Sequence, residues 1–201
     1  MTARPPLIIA ILAILVVAAP AHAERKTYPK AKVNFDDFKT LVAEAEPHRA
    51  RRLVDLDTFL TMSREPGVIL LDTRSAFRYE RIHLAGATNL SFPDFTQANL
   101  QKIIPSEDTT VLIYCNNNFD GDEVNFASKV FIPAGRPAPA PPATPAAQLA
   151  AQERPVMLAL NVPTYVTLYG YGYRNVYELD ELVKVSDPRV TFEGTVVAPK
   201  K

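Results

Sequence analysis

The 201-residue sequence contains no tryptophan, one cysteine and three histidines, and its 22 lysines and arginines balance 22 acids. The missing tryptophan excludes nothing. The single cysteine excludes an internal disulfide and leaves a cysteine-built zinc site without ligands, so no metal and no cofactor are expected. Zero net charge supplies no field for nucleic acid or an anionic membrane. The longest apolar run, Leu7 to Ala18, is short for a bilayer span.

What is present is ordinary globular material. The chain is 47% apolar and 22% charged, enough for one sizeable core and less easily two. Its first 23 residues read as a cleavable signal peptide. Arg4 makes a short basic start, the apolar run follows, and Ala21-His22-Ala23 has the small-x-small form of a cleavage site. The mature chain is then expected to begin near Glu24, periplasmic in a Gram-negative cell or secreted, with no membrane contact after cleavage. An uncleaved anchor is the alternative. A lone thiol in an oxidising compartment risks intermolecular disulfides and overoxidation, so either burial or function must account for it.

The organising stretch is Thr109 to Asp122. Its first six residues are β-branched, aromatic and apolar without polar alternation after Thr110, as in a strand buried on both faces. That strand runs into Cys115. Asn116, Asn117, Asn118, Phe119, Asp120 and Gly121 suit a tight loop. Residues 122–131 begin with acids and carry apolar residues at helical spacing, which predicts a helix. Strand, cysteine, loop and helix in that order form the junction at which open α/β sheets bind ligands. Loop amides and a helix start there favour an anion or a thiolate.

The remaining chain alternates strands and helices, which predicts an α/β fold with parallel pairing. Residues 24–52 read as a basic arm and a helix, with Asn34 as its cap and Pro47 as its end. Asp57 is expected to cap a helix over 58–64. Val68 to Leu71 reads as a strand ending in Asp72-Thr73-Arg74, and Ser75 as the cap of a short helix. Residues 81–87 read as a loop, Thr88 to Leu90 as a strand, and 94–104 as a helix. Residues 133–155 are dense in proline and alanine and have no apolar period, so they read as an exposed insertion or, alternatively, a docking ligand. The fold resumes with a helix near Pro163 and a last strand from Val176 to Leu179. Residues 194–201 read as a tail.

Four pieces of this pattern resemble the rhodanese family of sulfurtransferases over residues 53–193, interrupted by the insertion. Val68 to Arg74 is similar to the family's strand ending in Asp-x-Arg. Ile82-His83-Leu84-Ala85-Gly86-Ala87-Thr88-Asn89 is similar to its His-Ile-Pro-Gly-Ala-x-Asn segment. Val111 to Cys115 is similar to the strand that delivers the catalytic cysteine, and Gly172 to Leu179 to its closing Gly-Tyr-x-Asn-Val motif. The resemblance implies a three-layer α/β sandwich around a central parallel sheet. It also implies that Cys115 takes sulfane sulfur from a small donor as a persulfide and passes it to a thiol acceptor. Loop amides and a helix dipole would stabilise the thiolate and persulfide.

The departures concern charge. Active members carry an arginine at the end of the cysteine loop, whereas Phe119, Asp120, Gly121, Asp122 and Glu123 stand here. Carboxylates disfavour a thiolate and repel an anionic donor. Phosphatase chemistry needs an arginine where Gly121 stands. Asp72, Arg74 and His83 are read as a structural motif, since a lone histidine without partner ligands makes no metal site. Two functions stay open: a periplasmic sulfurtransferase or persulfide carrier using Cys115, or a non-catalytic rhodanese-like binding or redox-sensing module that docks a periplasmic protein.

Overall fold

A computed structural model describes residues 28–131, 156–157 and 159–197. The expected leader (1–23) and insertion (133–155) lie outside these residues. Residues 34 onward form one compact unit.

Five short strands build the central sheet: β1 (Leu53–Val54), β2 (Ile69–Asp72), β4 (Thr88–Asn89), β5 (Val111–Tyr114) and β9 (Val176–Leu179). Their spatial order is β1-β9-β5-β2-β4 and every neighbouring pair is parallel. Parallel strands are buried on both faces, which is why β5 reads Val-Leu-Ile-Tyr with no polar alternation and is buried throughout.

Side chains alternate across this sheet and sort into two cores. Leu70, Leu112, Tyr114 and Leu179 point to one face, where they meet Leu56 and Phe59 of helix α2 (Leu56–Met62) and Tyr79 of helix α3 (Ala76–Arg81). Leu71, Val111, Ile113 and Val176 point to the other. There they pack on Leu100 and Ile104, at helix α4 (Gln97–Ile103), and on Tyr165 and Leu168 of helix α5 (Asn161–Gly170). Helices thus cover both faces, and the expected layered α/β architecture is present.

Helix α1 (Phe35–Ala50) is capped by Asn34, whose side chain accepts from the amides of Asp36 and Asp37, as the sequence suggests. It does not stop at Pro47. A proline in a helix removes one hydrogen bond, yet the last turn carries two tertiary anchors that hold it helical. Arg49 donates from Nε and Nη2 to the two carboxylate oxygens of Glu178, at 2.6 Å each. His48 Nδ1 lies 2.8 Å from the Tyr165 hydroxyl. Glu178 alternates onto the same face as Val176, so its buried carboxylate needs this fork-to-fork partner. Leu41 of α1 also reaches α5 closely enough that a Cβ on Gly170 would meet its Cδ2 at 2.8 Å.

Other boundaries shift by a residue or two. The cap of α2 is Asp55, accepting from the Thr58 amide at 2.8 Å, with Asp57 inside the first turn. Ser75 caps α3 as expected. The region 94–104 divides into a 3-10 turn (Phe92–Asp94) and α4, because Thr96 caps the second piece.

Three small strand pairs lie outside the sheet. β3 (His83–Leu84), in the stretch expected as a loop, pairs antiparallel with β11 (Phe192–Glu193). β6 (Phe119–Asp120) pairs parallel with β10 (Val183–Lys184). β7 (Val130–Phe131) pairs antiparallel with β8 (Val156–Met157), on either side of the segment that is not described.

Replacing Glu178 by Ala strands the Arg49 guanidinium against the sheet face and releases the end of α1. The urea midpoint is expected to fall by an equivalent of about 2–3 kcal/mol, less than for a fully buried pair because Arg49 is partly solvated. A change under about 0.5 kcal/mol, the size of a surface substitution, would contradict the anchoring role.

Candidate functional site

The ends of β2, β5 and β9 meet on one edge of the sheet, and Cys115 is the first residue past β5. Its side chain is 1% exposed. Burial pushes the thiol pKa up, and amides of Leu160 and Asn116 that donate to the sulfur only partly offset this. Asp72 adds to the rise and Arg74 opposes it.

The residues after Cys115 wind into a tight turn around it. Residues Asn116–Asn118 form a 3-10 turn in which the Asn118 amide donates to the Cys115 carbonyl at 3.1 Å, and the Phe119 amide donates to the Asn116 carbonyl. The chain then leaves as β6. Phe119 is buried edge-on to Tyr114 and Phe192, with Phe126 4.7 Å away between centroids. Gly121 turns the chain at φ 90°, a left-handed conformation that favours glycine. Among the six loop residues expected to bind substrate, Asn116 gives its amide to Sγ, and Cys115 and Asn118 close a capping box across the turn.

No helix follows this loop directly. Asp122 accepts from the Asn125 amide at 3.0 Å and from its Nδ2 at 2.7 Å, making a single turn. Tertiary partners end that turn: Arg81 Nε donates to Asn125 Oδ1 at 2.7 Å, and the Arg74 guanidinium lies 4.6 Å over the Phe126 ring. The helix start at the cysteine belongs instead to α5, whose preceding residue is Leu160. The strand–cysteine–helix junction is therefore assembled from pieces separated by some forty residues of chain (115 to 161).

Asn118 ties the pieces together, and sequence reasoning gave it no such part. Its Oδ1 accepts from the Cys115 amide and from Asn161 Nδ2, each at 2.9 Å. Its Nδ2 donates to the Leu179 carbonyl at 2.7 Å and to the Glu181 carbonyl at 3.3 Å. One buried amide thus joins the end of β5, the end of β9 and the start of α5. Asn117 faces outward enough to accept from the Lys129 amide at 3.0 Å. The Oδ1 atoms of Asn116 and Asn161 are buried without a partner among the described residues.

Asp72 and Arg74 form a second knot at the end of β2. Arg74 Nη2 donates to Asp72 Oδ2 at 2.6 Å and to the Ile82 carbonyl at 2.6 Å, and Nε donates to Asp72 at 3.0 Å. The Tyr114 hydroxyl donates to Asp72 Oδ2 at 2.7 Å and accepts from the Leu84 amide at 3.1 Å. Burial and the Asp72 charge hold Tyr114 well above the usual phenol range, so it stays a donor. Burial alone would lower the Arg74 pKa, but the bonds and charge of Asp72 outweigh it. His83 stacks on Tyr79 with ring centroids 3.8 Å apart, and its Nδ1 donates to the Tyr79 carbonyl at 2.7 Å. Its Nε2 lies 3.6 Å from Glu193. These contacts belong to β3 and its neighbours. Among the described residues no cluster of His, Cys, Asp and Glu could hold a metal ion.

Beside the cysteine loop lies a groove of ≈ 560 Å³ between α1, the start of α5 and the residues after β9. Phe38, Val42, Val162, Pro163 and Leu182 give it apolar walls, and Asn117, Asn118 and Asn161 line its inner end. The Arg49–Glu178 pair also borders it. The sulfur of Cys115 does not line it.

A family model described as "Rhodanese-like domain" matches residues 55–135. No curated protein matches the chain. Among solved structures, the BH2092 protein from Bacillus halodurans is similar, at 20% identity and a TM-score of 0.29. The match covers 42% of this chain and 64% of that one, under two thirds of its length.

Two tests follow from the buried site. Asn118→Ala removes four hydrogen bonds and leaves buried partners unpaired, so stability should drop by about 2–4 kcal/mol in urea, with the m-value unchanged; a drop under about 0.5 kcal/mol would deny it the bridging role. The raised Cys115 pKa means that the unfolded chain loses its thiol proton first. The stability of the parent relative to Cys115→Ala should therefore be constant below the ordinary thiol pKa, fall as pH rises through it, and level off above the folded pKa. A stability difference that rises over that range would show a thiolate stabilised by the fold.

Proposed function

We propose that the chain, which a rhodanese-like family model matches over residues 55–135, acts as a binding module in which Cys115 is a structural thiol rather than a nucleophile. One observation carries this reading: Cys115 is 1% exposed and burial raises its thiol pKa, so the nucleophilic thiolate is neither reachable nor favoured. The chemistry around it agrees. Asp120, Asp122 and Glu123 stand on the loop where an anionic sulfur donor would have to approach, and no basic side chain stands among residues 116–123. Binding then falls to the groove beside the loop, which is open, apolar and bordered by charge.

A second reading has its own support. The Leu160 and Asn116 amides both donate to Sγ beside the start of α5, an arrangement that would favour a persulfide anion if the site opened. In that reading Cys115 accepts sulfane sulfur from a small donor and returns it to a thiol acceptor, and Asn116 to Gly121 form the donor-binding loop.

We also place the protein outside the cytoplasm, with cleavage after Ala23 and a periplasmic partner, on the form of the first 23 residues. No helix among the described residues is long and apolar enough to cross a membrane.

Thiosulfate and cyanide supplied to the mature protein separate the two chemistries. The binding reading expects thiocyanate at the level of Cys115→Ala and no mass gain of one sulfur on the parent. Thiocyanate that depends on Cys115, with a one-sulfur adduct at that residue, would overturn it in favour of transfer.

A further inference from the structure

The groove beside the cysteine loop is continued by a second cavity of ≈ 300 Å³ on the other side of the loop. The two share Asn117 and Leu182 among their lining residues, so they form one surface running past the loop. Two properties of that surface point to its occupant.

The first is apolar exposure. Phe38 is 50% exposed, Val162 44% and Leu182 67%, all on the groove walls. Bulky apolar side chains left open on facing walls mark a place where another apolar chain is covered. The second is charge. Across both cavities the lining residues include one base, Arg49, which is already matched by Glu178. The remaining charged lining residues are Asp120, Glu123, Asp180 and Glu181, all exposed and all acidic. Asp120, Glu123 and Asp180 have no ion-pair or side-chain hydrogen-bond partner among the described residues. Glu181 accepts only the Leu56 amide. In a chain of zero net charge, four exposed acids lining one apolar groove, with Arg49 the one base among the described lining residues, are a local excess of negative charge.

We propose that this surface docks a cationic peptide segment of a partner protein, one in which lysine or arginine alternates with bulky apolar residues. The apolar side chains lie between Phe38, Val162 and Leu182, and the basic ones reach Asp180 and Glu181 on one side and Asp120 and Glu123 on the other. A peptide also brings backbone N–H groups. Asn161, which lines the inner end of the groove and is nine-tenths buried, has an Oδ1 that lacks a donor among the described residues. An anionic ligand would meet the same four acids as repulsion, so the sign of the charge selects against it. This proposal rests on the binding-module reading and names the partner of that site.

The test uses the mature full-length protein and three fluorescein-labelled peptides of equal length: alternating lysine and leucine, alternating glutamate and leucine, and alternating lysine and serine. Anisotropy should report a dissociation constant on the order of 10–100 μM for the lysine–leucine probe, with the other two at least about tenfold weaker. Leu182→Ser and the double variant Asp120→Asn/Asp180→Asn change exposed residues and should keep the parent's circular dichroism and urea midpoint. Each should weaken the lysine–leucine probe about five- to tenfold, and the double variant should also flatten its salt dependence. No saturable binding of that probe at 1 mM, about 4 kcal/mol of affinity, would overturn the proposal. So would equal affinity for all three probes, or affinity unmoved in both variants. Cys115→Ala should bind the probe as the parent does. Cys115-dependent thiocyanate formation would defeat the binding-module reading whatever the peptides do, and failure of the peptides without thiocyanate would defeat only the assigned ligand.

Discussion

The carboxamide of Asn118 is the constraint on which this edge of the molecule depends. A parallel sheet leaves its strand ends as loops with unpaired backbone groups, and those groups must find partners once they are buried. Asn118 supplies acceptor and donor at the same point: it takes the Cys115 amide and the Asn161 side chain, and gives to the carbonyls of Leu179 and Glu181. A side chain with both functions on one planar group can do this; Asp could not give, and Ser could not reach in three directions. The 3-10 turn is then fixed, the loop leaves as β6, and the sulfur is closed beneath it.

That closure governs the chemistry open to the cysteine. A cysteine at a strand end beside a helix start has two ingredients of a reactive thiol, a short loop and a dipole. Here the dipole comes from α5 and reaches the sulfur through Leu160, the Asn116 amide joins it, and the Asn118 and Phe119 amides close the turn. Desolvation is the larger influence, and the thiol is held in its neutral form. The Asp72–Arg74–Tyr114 knot stabilises the neighbouring strand end in the same way, by satisfying buried groups. The groove next to the loop stays open.

Much of this was legible in the residues. The unbroken apolar run before Cys115 announced a strand buried on two faces, Asn34 and Ser75 announced helix starts, and Asp72-Thr73-Arg74 announced an internal pair. What escaped were tertiary overrides of local signals. Residues 122–131 carry helical spacing, yet Asn125 and Phe126 are claimed by Arg81 and Arg74 after one turn. Pro47 is a stop signal, yet Arg49 and His48 have partners that hold the final turn. The pairings β3–β11 and β6–β10 involve two residues each, too few to show a period. Composition puts Asn118 in a ligand-binding loop, because it cannot tell an inward carboxamide from an outward one. A better signal existed for Glu178: a single charge within Val-Tyr-Glu-Leu implies a buried partner.

The sealed thiol is the central claim, and its protection from alkylation by a water-soluble maleimide tests it most directly. The rate at Cys115 should be measured from zero to denaturing urea and compared with global unfolding of the same protein. A sealed sulfur reacts only through unfolding, so the free energy derived from its protection should equal that from circular dichroism and share its urea slope. Protection several kcal/mol smaller, with a rate almost independent of urea, would show that the loop opens on its own and would contradict the account.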